Sequence, residues 1–263
     1  MKNNIYVVYY KPSDKEEELS LKTVLTTLDK LNVKYKAIER KFCYKGEFKG
    51  AKLIIVVGGD GTFLRVSHYV KDAPLFGVNS HCGKKEGFFM HCTRSNFEKK
   101  INKLLKGFKT KKLLRLDVLI NGKSHSYPAL NDIFFGHNNV YKLSRFDLTI
   151  KKEKKVGVKE HQKCSGLITS TPAGSYAWAV SAGGKTLPLA STKWQYLVRE
   201  QYEWRLHKHK FNKGLLNKDD ILRINVLRDD YIIAIDSLEE IKLKEGDVVT
   251  IKPSKKYLNY VDL

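Results

Sequence analysis

Apolar and polar positions follow two different periods through the first hundred residues. NIYVVYY at 4–10, VKYKAIE at 33–39 and LIIVV at 53–57 are short apolar or alternating runs that predict strands. Between the first two, EEELSLKTVLTTLDKLN sets Leu19, Leu21, Val24, Leu25 and Leu28 at helical spacing. GTFLRVSHYVKD predicts a helix that opens on glycine, and PLFGVN another buried strand. SNFEKKINKLLKGF predicts a helix with Ser95 as N-cap and Phe97, Ile101, Leu104 and Leu105 turned inward. This rhythm implies an α/β domain, a largely parallel sheet with helices around it.

From about residue 110 the rhythm changes. KLLRLDVLINGKSHSYPALNDIFF carries a hairpin signal, Asn121-Gly122, between strands. RFDLTIKK, SGLITST, ILRINVL, YIIAID and DVVTIKP follow as short strands, interrupted by one helix at SYAWAVSAGG. The expectation is a β-rich second domain, 108–263, behind an α/β domain at 1–107, with no internal repeat and no low-complexity linker.

Three stretches carry chemistry. In LIIVVGGDGTFLR the apolar run should end at the C-terminal edge of a sheet, where open α/β folds bind ligands. Gly58, Gly59 and Gly61 allow positive φ and close approach of a phosphate to the backbone. A helix starting near Gly61 or Thr62 would aim its free N–H groups at that phosphate. Asp60 is then placed to take a proton from an attacking hydroxyl or to help position a metal. A tight turn with Asp60 as a cap would use the same residues.

The second stretch, KCSGLITSTPAGSYAWAVSAGG at 163–184, takes a strand into a hydroxyl-rich turn and a helix that Ser175 or Thr171 could cap. Its N–H groups could hold a polar ligand. GGKT at 183–186 is no P-loop, because Ala179 stands where the first glycine is needed. The third is ALNDIFFG, where Asn131 and Asp132 sit at a strand's edge. Such a pair can bond a base edge and ribose hydroxyls, or close an Asx turn.

Composition narrows the field. No segment of the 263 residues approaches ~18 consecutive apolar positions, so no membrane-spanning helix is expected. MKNNIYVVYYKPSDK reads as a first strand rather than a signal peptide, and no Arg- and Ser-rich import leader is present, so a cytoplasmic location is expected. Cys43, Cys82, Cys92 and Cys164 lie far apart and are expected as reduced thiols. The pairs His81-Cys82 and His91-Cys92 lack a CxxC partner, so no protein metal site is assigned. The formal charge is +21, and Lys outnumbers Arg 40 to 9, which is not the balance of a base-reading protein. The field draws in anionic nucleotides, with only nonspecific nucleic-acid binding at low salt.

Taken in order, the three stretches resemble the NAD kinase family, which joins a GGDGT turn, an Asn-acid pair and a GLxxSTPxGSxAxxxSxGG segment. The likeness runs from about residue 52 to 184, with Asp236 and the EGD at 245–247 as further echoes. It implies a Rossmann-like α/β domain followed by a β-sandwich-like one. GVNSHCGKKEGFF at 77–89 is longer than the compact loop of ordinary bacterial members, KCSGL has serine before its glycine, and LVRE at 197–200 stands where they have a Pro-His-Ser segment. These features resemble the divergent branch of mitochondrial NAD kinase and plant NADH kinase. Trp178 replaces a tyrosine, Asp132 is a methylene shorter than the usual glutamate, and Ser237 replaces a glycine.

The resemblance implies transfer of the γ-phosphoryl of ATP to the 2′-hydroxyl of the adenosine ribose of NAD or NADH. Asp60 would be base or orienter, with Gly58, Gly59, Gly61, Thr62 and Phe63 at the phosphates. Asn131 and Asp132 would hold the adenosine portion, and Thr171, Ala177, Trp178 and Ser181 would line the dinucleotide cleft. Mg²⁺ would bridge the nucleotide phosphates, and the family's habit of pairing implies a homodimer or higher homo-oligomer. The branch implies that NADH is accepted; ATP, another triphosphate and polyphosphate stay open as donors. A lipid kinase of the diacylglycerol or sphingosine kind shares the GGDGT turn but not Phe63-Leu64-Arg65. A noncatalytic nucleotide- or RNA-binding protein on the same fold would not need Asp60.

Overall fold

The computed structural model describes residues 5–125, 127–153, 157–203 and 208–263. Asn4, the first residue of the predicted N-terminal strand, lies outside them. The first part of the chain runs β1 (Ile5–Tyr9), α1 (Lys15–Lys30), β2 (Tyr35–Glu39), β3 (Leu53–Gly58), α2 (Asp60–Tyr69), β4 (Leu75–Asn79), β5 (Cys92–Thr93), α3 (Phe97–Lys106) and β6 (Lys111–Leu113). There follow β7 (Leu116–Ile120), β8 (Lys123–Ser124), β9 (Asp132–His137), β10 (Ser144–Lys151), β11 (Val158–Cys164), β12 (Gly166–Ser170) and the four-residue α4 (Trp178–Ser181). The chain closes with β13 (Trp194–Arg199), β14 (Lys213–Leu216), β15 (Ile221–Val226), β16 (Tyr231–Ile235), β17 (Glu239–Leu243), β18 (Val248–Pro253) and β19 (Leu258–Tyr260). No helix among the described residues is long and apolar enough to cross a membrane.

Two compact units result: Met1–Lys112 with Tyr257–Leu263, and Leu113–Lys256. The C-terminal segment rejoins the first unit because β19 pairs in parallel with β4. A single cut in the chain has no place for that strand.

The first unit holds a sheet in the order β2-β1-β3-β4-β19-β6, with β5 also against β4. All six residues of β3 are buried, as a parallel strand covered on both faces requires. Val24 and Leu28 of α1 and Phe97, Ile101 and Leu104 of α3 share one core with Val7, Ile55, Val57 and Val78. Strands β2 and β3 flank β1 on opposite sides, so the chain reverses its direction of growth at the C-terminal ends of β1 and β3. Open α/β sheets bind ligands at such a point.

Two helices differ from expectation. Val24 and Leu28 of α1 are buried with Leu21 and Leu25 packed against the same core, but Glu17, Ser20 and Thr27 are buried as well, which the apolar period does not mark. Ser20 donates to the Ser80 carbonyl at 2.9 Å and Glu17 pairs with Lys85, so polar residues meet the long loop after β4. Before α3, Thr93 and Asn96 form a capping box around a short 3-10 turn, displacing Ser95 as cap, and Leu105 is 44% exposed.

In the second unit two antiparallel six-stranded sheets form, β11-β10-β15-β18-β7-β8 and β14-β13-β12-β9-β16-β17. Phe135 of the second sheet meets Phe146 of the first edge-on at 4.8 Å. The hairpin expected at Asn121-Gly122 is present, with φ of 51° and 80°. The helix expected across SYAWAVSAGG is reduced to a 3-10 turn, Gly174–Tyr176, and α4, neither with a side-chain cap.

Candidate functional site

The GGDGT turn stands where β3 gives way to α2, at the reversal point of the sheet. Asp60 is the first residue of α2, and its carboxylate is fixed by three successive backbone donors. Gly87 and Phe88 N–H donate to Oδ2, both at 3.0 Å, and Phe89 N–H donates to Oδ1 at 2.9 Å. A carboxylate has about four lone-pair positions, so one position, on Oδ1, stays uncommitted among the described residues. The N–H groups of Thr62 and Phe63 bond back to the Gly59 carbonyl. Those of Asp60 and Gly61 have no partner among the described residues, and Gly61 has open space where a Cβ would stand.

None of the three glycines takes a positive φ, contrary to expectation. Gly58 and Gly59 are needed for absence of bulk instead. A Cβ on Gly58 would lie 2.7 Å from the Thr62 hydroxyl, and one on Gly59 would press on the Lys85 stem at 3.0 Å. Thr62 is buried and receives a 3.2 Å hydrogen bond from Arg40, whose guanidinium lies over the Tyr10 ring. Phe63 is fully buried and stacks on Phe89 at 4.6 Å, so it packs the core behind the turn and offers no surface to a ligand.

The second group of residues lies at one end of the sheet containing β9, β12 and β16. Asp236, just past β16, repeats the arrangement at Asp60. Its carboxylate accepts from Leu130 N–H at 2.8 Å, Asn131 N–H at 2.7 Å and Asp132 N–H at 3.0 Å. Asp236 and Ser237 both have positive φ, 50° and 54°, where the family's glycine would be unstrained. Thr171 is fully buried; its hydroxyl donates to the Leu130 carbonyl and accepts from Gly174 N–H at 3.1 Å, so it braces the turn instead of facing a ligand. Gly174 is dictated by packing, since a Cβ there would fall 2.0 Å from the Asn131 carbonyl oxygen.

Asn131 keeps its Oδ1 buried with no hydrogen-bond partner among the described residues, an orphan acceptor that calls for a donor. The Asp132 carboxyl is buried, and burial first, then the neighbouring Asp236, push it up to about 7. Ala177 and Trp178 are half-buried and Ser181 is exposed. Trp178 packs against Phe134 at 5.3 Å, with the Arg199 guanidinium 5.1 Å from its ring.

The raised Asp132 value carries a stability prediction. Below the unfolded value near 4 the group is protonated in both states. Between about 4 and 7 only the unfolded chain ionises, and the native state loses stability at up to about 1.4 kcal/mol per pH unit. Asp132→Asn removes this slope. The variant's Tm, scanned from pH 4.5 to 8, should gain on the parent as pH rises and level off above about 7; parallel curves would show that Asp132 ionises normally.

Comparison with known proteins is consistent with this geometry. Residues 1–108 match the family model described as the ATP-NAD kinase N-terminal domain. A probable NADH kinase of Oryza sativa subsp. japonica is 30% identical over 230 residues, covering 80% of this chain and 70% of that protein. An NAD kinase of Clostridium perfringens is 28% identical over 268 residues, covering 98% and 92%. Two solved structures share the fold. An Archaeoglobus fulgidus NAD kinase in complex with ATP superposes with a TM-score of 0.78 at 22% identity, covering 98% of this chain and 93% of that one. A yeast NADH kinase complexed with NADH superposes at 0.81 and 18% identity, covering 99% and 83%. Thirty per cent identity to the rice protein, over 80% of this chain and 70% of that one, makes this chain a member of the NAD kinase family.

Proposed function

We infer that the protein is an NAD(H) kinase that moves the γ-phosphoryl of ATP to the 2′-hydroxyl of the adenosine ribose of NAD or NADH. The observation that carries the reading is the Asp60 carboxylate, held by three N–H groups with one lone-pair position left over, at the head of α2. In this reading that free position accepts the proton of the ribose hydroxyl as its oxygen attacks phosphorus, and the N–H groups of Asp60 and Gly61 take the phosphate oxygens. Asn131 supplies its orphan Oδ1 to the adenine amine, and Asp132 meets the adenosine ribose.

Mg²⁺ belongs to this proposal as part of the nucleotide complex, where it neutralises phosphate charge. The described residues include no cluster of three acidic, His or Cys side chains able to cage a metal. Mg²⁺ carried mainly by phosphates needs few protein ligands, and Asp60 could offer at most one. Trp178 and Arg199 present the surface we assign to the rest of the dinucleotide, with Ala177 and Ser181 beside them. Homodimer formation and a cytoplasmic setting complete the proposal. The first rests on family likeness, and the second is supported by four cysteines that are all unpaired.

The test is formation of NADP or NADPH by the purified protein from NAD and NADH with ATP, another triphosphate and polyphosphate as donors. Product with none of these pairs would sink the reading. A strong kcat/KM preference for NAD over NADH would remove the NADH part while leaving the kinase assignment.

A further inference from the structure

The cations of the first unit are largely neutralised where they approach the sheet's C-terminal edge. Lys85 pairs with Glu17, Lys84 with Asp14, and Arg94 with Glu16. Two guanidinium groups break this pattern. Among the described residues, neither Arg40 nor Arg65 has a carboxylate at ion-pairing distance. Arg65 is half-buried on α2. Arg40 is half-buried immediately after β2, and burial first, then the like charge of Arg65, work against its protonated form.

The sheet register explains how Arg40 arrives at the turn. Tyr9 is level with Glu39 on one side and Val57 on the other. Tyr10, Arg40 and Gly58 therefore leave three neighbouring strands at the same level. Arg40 reaches across β1, lays its guanidinium over the Tyr10 ring at 4.2 Å, and donates through Nη1 to the Thr62 hydroxyl at 3.2 Å. Stacking and that one hydrogen bond fix the plane. The other N–H donors have no partner among the described residues, beside the positive end of the α2 dipole. The like charges of Arg40 and Arg65 repel one another, offset only in part by the neighbouring Glu39, and a bound anion would relieve that repulsion.

We propose that Arg40, with Arg65 behind it, clamps the terminal phosphates of the phosphoryl donor. A planar guanidinium held by its face binds phosphate oxygens through paired N–H donors, as a lysine cannot. The donor's phosphate chain is the most highly charged group in the reaction and matches this site better than a dinucleotide's pyrophosphate. The assignment to a donor rests on the kinase reading; the assignment to a phosphate chain does not.

Two measurements separate these. Binding of inorganic tripolyphosphate, by calorimetry, needs no turnover. R40A should weaken it on the order of tenfold or more, and R40K by less. In steady state, R40A should raise KM for ATP by a similar factor while KM for the dinucleotide stays within about twofold. R65A should shift both in the same direction by a smaller factor. Should R40A fail to fold, R40K and R65A carry the test. Tripolyphosphate binding lost in R40A from a protein that makes no NADP(H) would support the clamp and overturn the kinase reading. Unchanged tripolyphosphate affinity in folded R40A, or a loss falling on dinucleotide KM, would overturn the clamp. A rise in ATP KM with unchanged tripolyphosphate binding would also overturn it, by placing Arg40 at the nucleoside.

Discussion

Asp60→Asn is expected to lower kcat for NADP(H) formation by about 10²- to 10⁴-fold, the range for loss of a positioned general base. Binding of the dinucleotide should remain measurable. The substitution is nearly isosteric, but the hydrogen bonds decide how it behaves. Oδ2 accepts from both Gly87 and Phe88, and Oδ1 from Phe89. An amide will keep its carbonyl toward the Gly87–Phe88 pair. Its NH₂ then faces the Phe89 N–H, two donors meeting where a donor met an acceptor, at a cost of about 1–3 kcal/mol. The uncommitted lone pair on Oδ1 disappears in the same rotamer, and with it the acceptor for the ribose proton.

The kinetic loss and the modest stability loss therefore have one origin and should appear together. Steady-state kcat measured well below the variant's Tm, beside direct dinucleotide binding, reads them separately. A variant with near-normal kcat would show that Asp60 organises residues 87–89 and takes no part in proton transfer.

The partner of Asp60 also marks the limit of what a sequence declares. The strand 53–57, the turn after it and the helix beyond are written locally, in five apolar residues followed by glycines, and all three were legible. The donors to Asp60 come from a loop 27 to 29 positions later, fixed by tertiary contact alone. The same division runs through the molecule. The helical period located α1 and the apolar residues it packs on the sheet, but the burial of Ser20 and Glu17 follows from Ser80 and Lys85, which no pattern within the helix announces. Asn131 and Asp132 were visible as a polar pair at a strand end. The orphaned Oδ1 and the raised carboxyl follow from burial beside Asp236, about a hundred residues away. Phe63 and Thr171 belong to recognisable motifs, yet both are fully buried, because a motif specifies the shape of a turn as well as its contacts. Arg40 carries no signal in the sequence for a related reason. Its position becomes meaningful only once β1 and β2 are known to be neighbours in register.

Asp236→Ala should cause the largest stability loss of any single carboxylate change, about 3 kcal/mol or more, lowering Tm on the order of 10 °C for a chain of this size. Asp236 is 4% exposed, and its two oxygens satisfy the N–H groups of Leu130, Asn131 and Asp132 in succession. Truncation leaves all three without an acceptor in a place water does not readily reach. Part of any loss in the alanine variant has another source, since Asp236 sits at φ 50°, a region that alanine tolerates less well than aspartate. Asp236→Gly separates the two. Glycine adopts that backbone freely, so whatever destabilisation it retains belongs to the missing carboxylate; about 2 kcal/mol or more should remain. The same variant removes the charge that helps to raise Asp132, so the slope of stability against pH between about 4 and 7 should flatten. Dinucleotide KM should rise as well, because the three N–H groups belong to the backbone that aims Asn131 and Asp132. A glycine variant as stable as the parent, with an unchanged pH slope, would reduce Asp236 to a turn former and leave the position of the Asn-Asp pair without its anchor.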